Sequence, residues 1–264
     1  MSIGRTIVLV IFGVIMLFAN SLVFKSYAVD NVTVISDGNK YQDLIAEYWN
    51  WWINLPLEKS PEQGTTEQCT IHKSGSVILL LDPFQMGEIK QRCEITSGSS
   101  VLFPFYIGWC DNGIKEYYGE QSFQRILSCA LDANRGVVTM KATLDNRTII
   151  DIEVDNKLVQ NQITKNNLPE GVHYKKITSD NFFNLTITNN TQFKLYEKPE
   201  DFKVSPYTYK GAADCFCGFI ESKDLPPGNH QLTYKTTVKG SEGADDPKGW
   251  NFESDITYEL IVTK

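Results

Sequence analysis

The chain has 264 residues, of which 25 are basic and 32 are acidic, and its net charge is −7 at neutral pH. An acidic chain without a basic stripe is a poor partner for nucleic acid, so we do not expect one. The sequence contains no Gly/Ser-rich or Pro-rich linker and no repeat. We therefore expect a single domain after any targeting segment.

Residues 1–28 are predicted to be a signal peptide. Arg5 supplies the positive start, residues 7–19 form an apolar run, and Ser26-Tyr27-Ala28 places small residues at the two positions that a signal peptidase reads. The run is shorter than the roughly 20 residues of a membrane-spanning helix, so cleavage after Ala28 is expected, with an uncleaved anchor as the alternative. Cleavage leaves residues 29–264 with 23 basic and 32 acidic residues, a net charge of −9.

Cysteine content agrees with export to an extracellular or cell-surface location. The six cysteines are an even number in an exported chain, which indicates disulfides rather than catalytic thiols. Asn-x-Ser/Thr sequons predict surface turns or strand edges and make four asparagines candidate glycosylation sites. These are Asn31, Asn146, Asn184 and Asn189.

Residues 40–55 are predicted to form an amphipathic helix. Asn39 is the expected N-cap, with Gln42 completing a capping-box pattern, and Pro56 ends the helix. At about 100° per residue, the large apolar side chains occupy one arc roughly 160° wide. They are Tyr41, Leu44, Ile45, Tyr48, Trp49, Trp51, Trp52 and Leu55.

Most of the remaining chain predicts strands. Residues 137–144 and 148–154 alternate around an Asp145-Asn146 turn, which indicates a hairpin. Pro104, inside a second apolar run, indicates a strand edge or a bulge. Further strands are expected at 76–81, 100–107, 182–188, 192–196, 215–220, 230–238 and 255–262.

A second helix is predicted at 120–134, where apolar residues recur at helical spacing and Gly136 follows closely. Many short strands separated by turns favour an antiparallel sandwich. The predicted fold is therefore mainly β: an antiparallel β-sandwich, immunoglobulin-like or jelly-roll-like, with two packed α-helices.

The order of motifs resembles a family of uncharacterised exported prokaryotic proteins. The shared pattern is a Trp-rich helix (Trp49-Asn-Trp51-Trp52, ending near Pro56), a strand with Phe103-Pro104, and a closing Pro-Gly turn and strand. That last part corresponds to Leu225-Pro-Pro-Gly228 and Asp255-Ile-Thr257-Tyr258-Glu-Leu260, and the cysteines of the pattern correspond to Cys69, Cys93 and Cys110. Where the family has an aromatic-rich segment, this chain has Ala213-Asp214-Cys215-Phe216-Cys217. The resemblance implies the fold and export, and it supplies no catalytic residue.

Spacing suggests how the cysteines pair. Cys69 with Cys93, and Cys110 with Cys129, would each close a loop of about 20 residues, worth about 3 kcal/mol. Cys215 and Cys217 then remain. On a strand their side chains would point to one face about 6–7 Å apart, which leaves three alternatives open: a strained bridge, a soft-metal pair, or pairing with other cysteines.

No motif for catalysis is present. The sequence lacks Gly-x-Ser-x-Gly, His-Glu-x-x-His and a phosphate-binding Gly-rich loop, and its three histidines lack metal-ligand spacing. We expect no catalytic residue, no metal and no cofactor. The leading hypothesis is an exported binding or structural domain, and the alternative is a secreted glycan-acting hydrolase with a carboxylate pair in an aromatic-lined cleft.

The aromatic face of the first helix is predicted to be core, with a rim that could bind. Trp51 lies at the edge of the arc beside Glu47, and Trp109 lies in a turn, so these are the expected binding residues. Exposed aromatics beside carboxylates and amides are typical of sugar-binding surfaces. The expected partner is a carbohydrate or another surface protein, with membrane contact only through an uncleaved N-terminal segment.

Overall fold

The computed structural model describes residues 38–56, 69–81, 87–113, 117–134, 136–153, 172–188, 207–239 and 251–264. The predicted signal peptide, the strand expected at 192–196 and the sequon residues Asn31 and Asn189 lie outside these ranges. Across the ranges that are described, no helix has the length and apolar content needed to cross a membrane.

Two helices and eleven strands make up the described fold. The helices are α1 (Gly38–Ile53) and α2 (Phe123–Ala133), and a short 3-10 turn spans Ser222–Asp224. The strands are β1 (Ile71–Ser74), β2 (Val77–Leu80), β3 (Gly87–Thr96), β4 (Ser100–Asp111), β5 (Val137–Leu144), β6 (Arg147–Glu153), β7 (Val172–Thr178), β8 (Phe183–Ile187), β9 (Tyr207–Ile220), β10 (Gly228–Lys239) and β11 (Asn251–Thr263).

The strands form two sheets that pack together as a sandwich. The first sheet has the order β1-β2-β4-β9-β7, with β8 also paired to β9, and the second has the order β3-β11-β10-β5-β6. The predicted mainly β sandwich is confirmed. Both sheets are mixed, however, because β2 runs parallel to β4 and β3 runs parallel to β11. Alternation along a strand identifies its buried face but not its neighbour, so the purely antiparallel prediction was wrong at these two pairs.

Aromatic side chains fill the space between the sheets. Phe103 and Phe105 from β4 meet Tyr234 and Tyr258 from the second sheet, and all four are at most 2% exposed. The hydroxyls of Tyr234 and Tyr258 both donate to the carbonyl of Leu81, at 3.2 and 3.0 Å. A phenol buried in a core requires such a partner, so the carbonyl lets two large rings occupy the centre.

Helix α1 adds a third layer on the outer face of the first sheet. Tyr48, Trp49 and Trp52 are at most 4% exposed and pack with outward-facing residues of that sheet, which confirms that the aromatic arc is core. The helix begins at Gly38. Asn39 therefore lies in the first turn, and its predicted N-cap role was wrong.

Helix α2 closes one end of the sandwich beside β4 and β9. Ser122 is its N-cap, with a hydroxyl that accepts the backbone N–H of Arg125 at 3.4 Å. Just before it, the Glu120 carboxylate accepts the backbone N–H groups of Gln121 and Ser122, at 2.9 and 2.8 Å. The helix therefore starts three residues later than periodicity alone indicated, because the preceding residues form a capped turn.

The structure has three disulfides, two of which connect different elements of the fold. Cys69, just before β1, is joined to Cys93 of β3, so this bond links edge strands of the two sheets. Cys110 of β4 is joined to Cys129 of α2. Both pairs are those that spacing favoured. Cys215 and Cys217 are joined to each other within β9, with Cα atoms 5.6 Å apart, on the face covered by α1.

Candidate functional site

A polar cluster lies where the rim of α1 meets the β1–β2 hairpin, and we name it the Glu47 cluster: Glu47, Trp51, His72 and Ser74. Glu47 and Trp51 are one helical turn apart, and His72 and Ser74 are two residues apart on β1, so each pair shares a face. His72 Nε2 lies 2.6 Å from Glu47 Oε1, and the Ser74 hydroxyl donates to Glu47 Oε2. One carboxylate therefore fastens the helix to the hairpin at two points.

The carboxylate of Glu47 is held in its charged form. Burial favours the neutral acid, but the hydrogen bonds from Ser74 and His72 and the charge of His72 outweigh it and lower the pKa of Glu47. Its side chain remains 42% exposed. The cluster thus presents a negatively charged acceptor at the surface, beside a tryptophan.

The hydrogen bonds in this cluster do not form a nucleophile–base pair. Ser74 donates to Glu47 and not to His72, so the imidazole is not placed to accept the hydroxyl proton. In the part of the chain that the structure describes, no group of three His, Cys, Asp or Glu side chains could hold a metal ion. The cluster can hold the helix against the hairpin and accept hydrogen bonds from a ligand.

Trp51 is only partly available to a ligand. Its indole stacks on the His72 imidazole, with ring centroids 5.5 Å apart and planes at 25°, and it meets Tyr48 edge-on at 5.7 Å. It is partly exposed, whereas Trp49 and Trp52 are buried, which matches the predicted order of exposure. The stacked imidazole covers one face of the indole, so any ligand has to use its other face or its edge.

Trp109, the other predicted binding tryptophan, lies away from the Glu47 cluster. Its ring packs on Trp49 at 4.6 Å, and its indole N–H donates to Asp111 at 2.9 Å. The other oxygen of Asp111 accepts the backbone N–H of Gly113 at 2.8 Å. Trp109 lies within β4, paired with Ala213, so the prediction that it lies in a turn was wrong. The structure therefore brings Glu47 and Trp51 together but assigns Trp109 to a separate, half-buried contact.

A polar groove that the sequence did not indicate lies on the opposite rim of α1. It has a volume of about 290 Å³ and separates the first turns of the helix from the β7–β8 connection. Its lining consists of Gln42, Asp43, Ala46 and the run 179–183. These two segments are more than 130 residues apart in the chain, so no local pattern could have joined them.

A fully buried carboxylate at Asp214 joins three elements. Asn134, at the end of α2, donates to its backbone carbonyl at 2.7 Å and to its carboxylate at 2.6 Å, and Thr178 of β7 donates to the other carboxylate oxygen. Burial first, and the charge of Asp214 second, raise the pKa of Tyr174. We interpret this network as a structural junction of α2, β7 and β9.

Two of the sequon asparagines are described, and both are exposed. Asn146 occupies the β5–β6 turn with φ of 63°, next to Asp145 with φ of 51°, a pair of left-handed residues typical of a two-residue hairpin. Asn184 lies on β8. Their exposure is compatible with the predicted modification and does not test it.

Comparison with known proteins assigns the chain to no family. No family model and no curated protein matches the chain. Among solved structures it is similar to CfaE, the adhesive subunit of the CFA/I fimbria of enterotoxigenic Escherichia coli, with a TM-score of 0.15 and 10% identity over 64% of this chain. The chain spans 45% of that subunit. A similarity this low does not bear on the fold or the function, and the resemblance to an exported family stays a prediction.

Proposed function

We propose that the chain is an exported, extracellular or cell-surface domain that binds or supports a partner and does not catalyse a reaction. The observation that carries the proposal is the disulfide framework, because all six cysteines are paired. Protein disulfides persist in oxidising compartments and are rare in the cytosol. One of them links the two sheets and another fastens α2, so they stabilise the whole domain.

The polar side chains around the tryptophan helix support a binding role. His72 and Ser74 each bond to a different oxygen of Glu47, an arrangement that positions the helix and activates no nucleophile. What remains available is a charged acceptor and part of an indole ring. We place the ligand contact at Glu47 and Trp51, and we propose a carbohydrate or a surface protein as the partner.

Export and oxidation are tested together. The full chain is expressed in a host with a secretion pathway, and the intact mass and N-terminal peptide of the product are measured, with thiol labelling under denaturing, non-reducing conditions. We expect a product that begins at Val29 and takes up no label. A cell-internal product with reactive thiols would refute the proposal.

The binding role is tested with a panel of immobilised glycans. The wild-type protein, Glu47→Gln and Trp51→Ala are compared, with Trp109→Ala as the matched tryptophan control. A bound glycan that loses affinity in the first two variants and keeps it in the third supports the assigned surface. Equal loss of affinity in all three variants would mean that the glycan binds at another surface. If no glycan binds, the proposed partner is a protein, which cross-linking from the same two residues would identify.

The glycan-hydrolase alternative rests on the groove, because Asp43 and Asp180 line it together. Two carboxyl groups in one cleft are what glycoside hydrolysis requires, although the aromatic residues here are Phe182 and Phe183 and not tryptophan or tyrosine. Release of reducing ends from glycans by the wild-type protein, and its loss in both Asp43→Asn and Asp180→Asn, would favour this alternative over the binding domain. Activity that survives both changes would exclude the groove as its site.

A further inference from the structure

A column of amide side chains on α1 and at its end runs along the β7–β8 edge of the first sheet, as far as the structure describes that sheet. Gln42, Ala46 and Asn50 follow one another at four-residue spacing along α1, and Asn54, just after the end of the helix, continues the row. Gln42 donates to the carbonyl of Thr178, the last residue of β7, at 3.2 Å. The two asparagines continue the contact along β8.

Among the strands that the structure describes, β8 pairs with β9 alone, and the asparagine amides occupy its other side. Asn50 accepts the backbone N–H of Thr186 at 3.1 Å and donates to the carbonyl of Asn184 at 2.8 Å. Asn54 accepts the backbone N–H of Thr188 at 2.9 Å and donates to the carbonyl of Thr186 at 2.6 Å. Each carboxamide thus takes the place that a peptide group of a neighbouring strand would occupy.

The four backbone groups that these amides satisfy form a self-complementary set. In an antiparallel pair of two β8 strands centred on Thr186, the N–H and carbonyl of Thr186 would bond to those of its symmetry mate. The carbonyl of Asn184 would accept the N–H of Thr188 from the other copy, and the reverse. A two-fold axis at Thr186 therefore uses the same four groups, and closed two-fold contacts are the commonest in homodimers.

The sequence of β8 lacks the charges and the proline that commonly protect an edge strand. The run from Phe183 to Thr188 contains no charged residue and no proline. Edges of this kind are templates for pairing with another chain, and natural proteins block them with charges, proline, bulges or a covering element. We propose that Asn50 and Asn54 are the block here, and that they prevent β8 from pairing with a second copy of this chain.

The test replaces both amides with an apolar residue of similar size that favours helix. Asn50→Leu/Asn54→Leu leaves the four backbone groups unsatisfied without removing the buried aromatic face of α1. We expect molar mass from light scattering to double at concentrations on the order of 100 µM, where exposed edges associate. The control, Asp43→Leu, adds a leucine at an exposed position of the same helix outside the amide column and should stay monomeric.

A second substitution tests whether the dimer forms through the edge of β8. The backbone N–H of Thr186 points to α1 and not to β9, so Thr186→Pro removes the central donor of the proposed pair and leaves the β8–β9 ladder intact. Added to the double leucine variant, it should restore the monomer. A folded double variant that stays monomeric, a dimer that persists with the proline, or a wild-type dimer that the proline dissociates would each overturn the proposal.

Hydrogen exchange covers the case in which the double variant does not fold. In the wild-type protein the N–H groups of Thr186 and Thr188 should exchange slowly, because the asparagines hold them. Asn50→Leu should accelerate exchange at Thr186 by at least about tenfold and at Thr188 far less, and Asn54→Leu should do the reverse. If both N–H groups stay slow in both variants, another group covers the edge and the proposal is wrong.

Discussion

Neighbouring tryptophans on α1 serve different purposes because they differ by about 100° around the helix. Trp52 points into the layer between the helix and the first sheet and is 4% exposed, whereas Trp51 lies at the rim against His72. The same turn of helix therefore supplies both a core residue and a surface residue. Their substitution separates packing from binding.

Trp52→Ala should lower the free energy of unfolding by about 3–5 kcal/mol, the usual loss for a large buried aromatic side chain. Trp51→Ala should lower it clearly less, because part of that ring already contacts water. Urea denaturation under non-reducing conditions measures both. Equal, small losses would mean that the aromatic face contributes little to the core.

Protonation of His230 should make the free energy of unfolding depend on pH. Burial disfavours its charge, but the hydrogen bonds with Asp145 and with the carbonyl of Pro226, both at 2.8 Å, and the charge of Asp145 raise its pKa above the usual value. Because the folded pKa lies above the unfolded value of about 6.5, the stabilisation is complete below that pH and is lost as the pH rises through the folded pKa.

The measurement compares wild type with His230→Gln by denaturation from about pH 5.5 to pH 9, a window that begins below the usual histidine pKa and extends well above it. The difference in unfolding free energy should be largest at the acid end and shrink as the pH rises. Asp145→Asn should remove most of the same pH dependence. A difference that grows with pH would contradict the assignment.

At the scale of elements, a β-bulge at Phe105 determines which way the side chains in the second half of β4 point. Pro104 pairs with Cys217 and Tyr106 pairs with Phe216, so Phe105 has no partner in the ladder. The extra residue reverses the alternation, and Trp109 consequently faces α1. In the sequence, Pro104 indicated either a strand edge or a bulge, and the structure shows a bulge.

The bulge also releases a backbone carbonyl, and the opposite sheet binds it. Thr236 of β10, 1% exposed, donates its hydroxyl to the carbonyl of Phe105 at 2.8 Å. Thr236→Val keeps the shape and removes the donor, and it should cost about 1–3 kcal/mol because a buried carbonyl is left unsatisfied. Chemical denaturation measures the loss.

Thr233→Val is the matched control for that substitution. It lies on the same strand, but its hydroxyl meets Thr257 at a partly exposed position, 3.1 Å away, where water can replace the lost bond. Its loss of stability should be much smaller. Equal losses in the two variants would mean that the hydroxyl of Thr236 is not needed at the bulge.

At the scale of the whole molecule, a disulfide links the edges of the two sheets at one place and helix α1 covers a sheet edge at another. The Cys69–Cys93 bond joins the edge strand region of the first sheet to the edge strand of the second. Helix α1 covers the outer face of the first sheet and the free side of β8. The two arrangements address the same problem, which is that a sandwich has four sheet edges.

Cys69→Ala/Cys93→Ala should lower the unfolding free energy by about 3 kcal/mol, because the bond closes a loop of 24 residues in the unfolded chain. The same denaturation assay applies, with the wild-type protein under reducing and non-reducing conditions as the reference. A loss below about 1 kcal/mol would mean that the entropy of the unfolded chain contributes little here.

Much of the secondary structure could be predicted because periodicity is local. The two helices, the β5–β6 hairpin and the last two strands follow from spacing of apolar residues. β3 was missed although Ile89, Cys93 and Ile95 are buried at alternating positions, since the intervening charges and Gln91 obscured the pattern. In the candidate site, Glu47 beside Trp51 was visible on the helix, but His72 and Ser74 were not, because they belong to a hairpin more than 20 residues away.

The sequence by itself therefore determined the class of fold, the aromatic core face of α1 and two of the disulfide pairs, all of which depend on neighbours within one element or on loop length. Only the tertiary structure decided the order of strands, the two parallel pairs, the groove and the contact of Asn50 and Asn54 with β8. Those asparagines lie 132 to 136 residues from their backbone partners and read in the sequence as the solvent face of a helix. Their role exists because the sheet ends where the helix passes, and sheet edges are set by the free energy of the whole assembly of strands and not by any local pattern.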